Sequence, residues 1–127
     1  MVLLGDAIIR YDLSKHTYER AALRGMTDSL SPSFCQINSK KLFISGGSNK
    51  EASMAVKKYQ TTSSSAYTYH WINHSIIKHK SMPAAKINHT LVLFLNCVYS
   101  VGGAQSGDKE GISNSVSYFK LTENYWE

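Results

Sequence analysis

The sequence predicts an all-β fold made of repeated units, and three observations predict it. A short apolar run closed by a glycine pair occurs twice: Lys41-Leu-Phe-Ile-Ser-Gly46-Gly47 stands 56 positions before Cys97-Val-Tyr-Ser-Val-Gly102-Gly103. The same offset pairs Met26 with Met82, each twenty residues ahead of its first glycine. Ile8, Val56 and Val116 each precede an aromatic by three residues, namely Tyr11, Tyr59 and Phe119. In the first and third copies another aromatic, Tyr18 or Trp126, follows seven residues later, whereas a serine-rich insertion after Tyr59 delays the tryptophan to Trp71. Self-similarity at a period of tens of residues marks chains built from stacked supersecondary units.

Taken in order, residues 1–25 read as the back half of one unit, 26–81 as a complete unit, and 82–127 as a unit lacking most of its last strand. Met1–Leu4 reads as a truncated inner strand or a disordered start, and Ala7–Leu13 alternates as a strand that Tyr11 closes before Asp12 opens a turn. Tyr18–Leu23 reads as an outer strand, although its Ala-Ala-Leu core also suits a helix. Pro32 places a connection at Ser29–Ser33, leading to a strand at Phe34–Ile37. Lys41–Ser45 is a strand ended by Gly46-Gly47, since residues without Cβ accept positive φ and close approach. Ser48–Ser53 is then a loop, Ala55–Tyr59 the third strand, Thr61–Ser65 a polar turn, Tyr67–His74 the fourth strand and Ile76–Ser81 a link. Asn88–Leu95 is β-branched and apolar over the length of a buried strand. Asn96 turns the chain into Val98–Val101, Ala104–Ile112 is the longest loop, Ser115–Leu121 is the next strand, and Tyr125-Trp126 begins another.

A hydrophobic strand ending in Gly-Gly, a loop, a strand ending in an aromatic, and a Trp after a short turn together resemble the kelch repeat. The resemblance covers nearly the whole chain. It implies that each unit is a four-stranded blade of a kelch-type β-propeller, with blades arranged radially, and that the chain supplies an incomplete ring of about two and a half blades. The repeat positions are Gly46, Gly47, Gly102, Gly103, Tyr11, Tyr59, Phe119, Trp71 and Trp126. Their aromatics are expected to pack blade against blade. His89 resembles a histidine that often begins kelch inner strands after a basic residue, here Lys86, and the pair reads as structural or as part of the loop face.

Composition narrows the function classes. A hydrophobic fraction of 43% argues against disorder throughout. The net charge of +5 invites a nucleic-acid reading, but the basic residues are scattered as short pairs such as Lys40-Lys41 and Lys57-Lys58, which suit strand edges and turns. Neither nucleic acid nor membrane is an expected partner: the longest apolar run, Leu91–Leu95, is far short of a span. Cys35 and Cys97 fall at different repeat positions and read as free thiols, and with no N-terminal signal the expected location is cytoplasmic.

No catalytic, cofactor or metal residues are expected. Among His16, His70, His74, His79 and His89, His70 and His74 would share a strand face roughly 13 Å apart, too far to chelate one ion; on a helix the same spacing could chelate, but a third ligand is missing. No nucleophile elbow is present, and Gly102-Gly103-Ala-Gln-Ser-Gly107 lacks the lysine and helix of a phosphate loop. The resemblance implies a non-catalytic scaffold that binds other proteins through inter-strand loops at 48–53, 61–65 and 104–112. Candidate contacts are Asn49, Lys50, Gln105 and Asp108, with Tyr67 and Tyr69 expected to be exposed. The alternative is a fragment of a larger kelch protein, such as a ubiquitin-ligase substrate adapter or a propeller oxidase, inactive alone. Open sheet faces make further blades, or self-association to complete the ring, expected partners.

Overall fold

Antiparallel pairing organises the chain throughout the computed structural model, which describes residues 1–4, 7–23, 29–49, 62–105 and 112–127. The first sheet is β1 (Val2–Leu4), β2 (Ala7–Asp12) and β3 (Thr17–Ala22), hydrogen-bonded in that order. β4 (Ser29–Leu30) forms a two-stranded ribbon with β7 (Ser48–Asn49). The second sheet runs β5 (Ser33–Asn38), β6 (Lys41–Ser45), β8 (Ala66–His70) and β9 (Ser75–Lys78). The third runs β10 (Thr90–Phe94), β11 (Cys97–Val101), β12 (Val116–Lys120) and β13 (Tyr125–Trp126). The described residues thus form an all-β fold whose sheets are open meanders. No helix among them is long and apolar enough to cross a membrane.

Register makes the three sheets comparable residue by residue. Tyr69 faces Leu42 across β6 and β8, and Phe119 faces Val98 across β11 and β12. Tyr11, Tyr69 and Phe119 each lie opposite a residue seven positions on: Tyr18, Ile76 and Trp126. The turns between them close alike, because His16, His74 and Asn124 all take φ near +50° at the last turn residue. A left-handed residue there matches the twist of the flanking strands. The tyrosine hydroxyl reaches the turn histidine in both copies that have one, Tyr11 with His16 Nδ1 at 3.4 Å and Tyr69 with His74 Nδ1 at 2.5 Å.

This register corrects the second copy. Its third strand is β8, and its fourth is β9, so Tyr67–His74 is one strand plus a turn. Tyr59 and the strand expected at 55–59 lie outside the described residues. Trp71 is the first turn residue, equivalent to Leu13 and Leu121, not to Trp126. Ser29–Leu30 and Ser48–Asn49, read as connections, pair with each other instead. Between Leu95 and Asn96, both at positive φ, β10 and β11 turn in two residues, as primed hairpin turns require.

Two cores follow from stacking the sheets. Leu3 and Ile8 of the first sheet pack with Leu42, Ile44, Tyr69 and Trp71 of the second. Phe43 and Ala66, on the other face of the second sheet, pack with Met82, Leu91, Val98, Phe119 and Trp126. Phe43 and Phe119 stand 5.2 Å apart between ring centroids, and Trp126 Nε1 donates to the Lys80 carbonyl at 2.9 Å. Because both faces are covered, β6 and β8 lose the inside–outside alternation that β10 keeps.

Ser100 is fully buried on the third sheet, and among the described residues its Oγ has no hydrogen-bond partner. A buried hydroxyl without a partner forfeits its solvation. Ser100→Ala is expected to stabilise the fold by about 1 kcal/mol, read as a rise in melting temperature of a few degrees.

Candidate functional site: the glycine-turn face

Gly46-Gly47 and Gly102-Gly103 end β6 and β11, and all four residues take positive φ. The two turns are held by the same bonds. Gly46 N donates to the Ser65 carbonyl and Gly102 N to that of Ser115, while Ser63 N and Ser113 N donate to the carbonyls of Gly47 and Gly103. Ser63 Oγ and Ser113 Oγ each accept from the amide two residues on, at 3.1 Å. A Ser-x-Ser element therefore recurs behind both glycine pairs.

His89 lies where the two turns meet. A Cβ on Gly46 would stand 2.4 Å from both His89 Cε1 and the Lys86 carbonyl, and one on Gly103 would stand 2.8 Å from His89 Cβ and the Ile87 carbonyl. Among the described residues, a Cβ on Gly102 would meet nothing nearer than 3.7 Å, so there its φ of +68° is what favours glycine. His89 Nε2 is 3.0 Å from Ser45 Oγ, and Ser33 Oγ donates to the His89 carbonyl. Burial, followed by the charge of Lys86, lowers the His89 pKa to about 4, leaving a neutral imidazole. Lys86 is itself buried, which lowers its pKa; its Nζ lies 3.4 Å from the Ser115 carbonyl, and its own carbonyl accepts from Gly47 N at 2.9 Å.

Around this junction the described parts of the three predicted loops converge. Ser48 bridges to Thr62, Thr62 Oγ1 donates to the Gln105 carbonyl, and Ala104 bridges to both Ile87 and Ile112. Gln105 is exposed, as are Ile112 and Asn114. Asn49 belongs to β7 on the same turn. Lys50 and Asp108 lie outside the described residues. Tyr67 and Tyr69, expected at an exposed partner surface, are buried: Tyr69 belongs to the core against the first sheet, and Tyr67 lies 5.7 Å from Lys78 Nζ. Tyr11, expected in a core, is half exposed because no sheet among the described residues covers its face. Phe119, Trp71 and Trp126 are buried.

At the opposite end of β6, a cleft of about 490 Å³ opens between the second and third sheets, with Lys41, His70, Lys78, His79 and Lys80 on its walls. His79 stacks on Phe43, meets Phe119 at a tilt and bonds Thr68 Oγ1 at 2.6 Å; burial and His70 lower its pKa. The Lys78-His79-Lys80 run was the available signal for this basic cleft. Cys35 and Cys97 are free and half buried. Among the described residues, no group of three His, Cys, Asp or Glu side chains is placed to hold a metal ion. The sequence matches no family model and no curated protein.

Two predictions follow from the junction. Gly46→Ala is expected to cost at least about 2 kcal/mol, because it adds a backbone collision to an unfavourable φ, and Gly102→Ala about 1 kcal/mol for φ alone; chemical denaturation orders them. Second, below pH 6.5 the unfolded chain takes up a proton on residue 89 that the folded chain refuses until about pH 4. Stability is expected to fall across that window by up to ~3 kcal/mol from this group. His70 and His79 act in the same direction. Melting temperatures of His89→Gln, each relative to its own value at pH 7, should fall less steeply.

Proposed function

We propose that the chain is a non-catalytic protein-interaction scaffold of kelch-type repeats, its three sheets serving as propeller blades that hold the glycine-turn loops in place. The observation that carries this reading is the convergence of Ser48, Thr62 and Gln105 beside exposed Ile112 on one face. Loops on rigid sheets suit recognition, because they vary while the scaffold stays still. The binding surface in this reading comprises Asn49, Gln105, Ile112 and Asn114. The free thiols of Cys35 and Cys97 support action in a reducing, cytoplasmic setting. A second reading, that these residues are part of a larger propeller such as a substrate adapter, is supported by the uncovered apolar faces of the first and third sheets.

Selection of binding peptides from a displayed library tests the scaffold reading. Selected peptides are expected to lose at least tenfold in affinity against Gln105→Arg or Ile112→Asp, whose melting temperatures should match the unaltered chain. Affinity unchanged in both variants, or no selectable peptide, would overturn it.

A further inference from the structure

Where two of the three larger sheets meet, the front face of the later sheet packs on the back face of the earlier one. On the second sheet the front carries Leu42, Ile44, Tyr69 and Trp71, in the core with the first sheet. On the third it carries Val98, Phe119 and Leu121, in the core with the second. Register identifies the same positions on the first sheet. Tyr11 is the equivalent of Tyr69 and Phe119, Leu13 of Trp71 and Leu121, and Tyr18 of Ile76 and Trp126. Yet Tyr11 is 48% exposed, Tyr18 69% and Leu13 80%, where the equivalents of Leu13 pack against a neighbouring sheet.

The opposite end of the stack shows the complement. The back face of the third sheet alternates outward through Val92, Phe94, Val101 and Val116, beside the stacked rings of Tyr99 and Tyr118. Phe94 is 60% exposed and Val116 58%. Val116 is the register equivalent of Ile8 and Ala66, which are fully buried in the two existing interfaces. Apolar positions this concentrated on one face mark an interaction surface.

We infer that the back face of the third sheet docks on the front face of the first sheet of a second copy of this chain. The contact would continue the interface that the molecule already makes twice within itself. Its two sides differ, so it is heterologous, and such contacts either close into a ring or grow without limit. Closure rests on the propeller reading proposed above: two copies bring six such sheets, within the four-to-eight range that closes radially, so the pair closes through two identical contacts and leaves neither face open.

Light scattering across a concentration series tests this on the 127-residue chain. The unaltered chain should form two-chain particles. Leu13→Lys on the front and Val116→Lys on the back, both at exposed positions, should each give single chains that keep a cooperative melt. Mixed in equal amounts, the two variants should recover a two-chain particle, because one sound front and one sound back remain; an isologous pairing of either face alone would not behave so. If either variant fails to melt cooperatively, Tyr18→Lys or Val101→Lys replaces it. Single chains from the unaltered protein, which would leave these faces to sheets of another polypeptide, overturn the inference. So do open-ended particles, a pair that survives both substitutions, or a mixture that stays single.

Discussion

Leu42 and Phe43 are neighbours in one strand, and their side chains point into two different cores. The rest of the structure depends on that double burial. A sheet covered on one face alternates apolar and polar residues, but β6 reads Leu-Phe-Ile because each face has its own neighbour. Each such side chain contributes roughly 1.5–3 kcal/mol when buried. The second sheet therefore joins three sheets into one stack, and the first and third touch solvent on the faces that it does not cover.

The glycine end fixes how closely the second and third sheets approach. At Gly46 the second sheet leaves room for the edge of an imidazole, and at Gly103 the third leaves room for the same residue's Cβ. His89 fills both spaces as a neutral ring, with Ser45 on its Nε2 and Ser33 on its carbonyl. The approach of β5 to β10 and the convergence of the loops are thus two results of one joint. Loop positions on this face are tied to the packing of buried groups rather than to the loops themselves.

Much of this architecture was legible in the sequence, since strands such as Lys41–Ser45 and the glycine pairs carry their own steric signature. The seven-residue aromatic step was also legible, but its start in the second copy was not. The glycine pairs repeat at 56 positions, whereas Tyr69 and Phe119, like Ser65 and Ser115, repeat at 50. The difference is a longer connection between β6 and β8. Ile76, read as part of a link, stands where the other copies carry Tyr18 and Trp126, because the position requires an apolar body against the neighbouring strand and not a particular ring. Exposure of Tyr11 and burial of Tyr67 and Tyr69 were illegible for a different reason: they depend on which sheets have neighbours, a property of the stack and not of any local pattern.

In a stack of this kind each sheet contacts only the next, so stability sums over sheets and the interfaces between them. An end sheet gains one interface where an inner sheet gains two. The first sheet is also the smallest of the three stacked sheets, with three strands and a three-residue β1 at its edge. Its burial rests on Leu3 and Ile8 against Leu42, Ile44 and Trp71, with the Arg10 guanidinium 5.7 Å over the Trp71 ring. The third sheet keeps four strands and a larger set of aromatic contacts through Phe119 and Trp126. Unequal ends give the stack a direction in stability as well as in geometry: opening of the first sheet exposes the smaller core and leaves the His89 joint intact, whereas opening of the third breaks that joint. The lowest-energy local opening is therefore the departure of residues 2–22 from the second sheet.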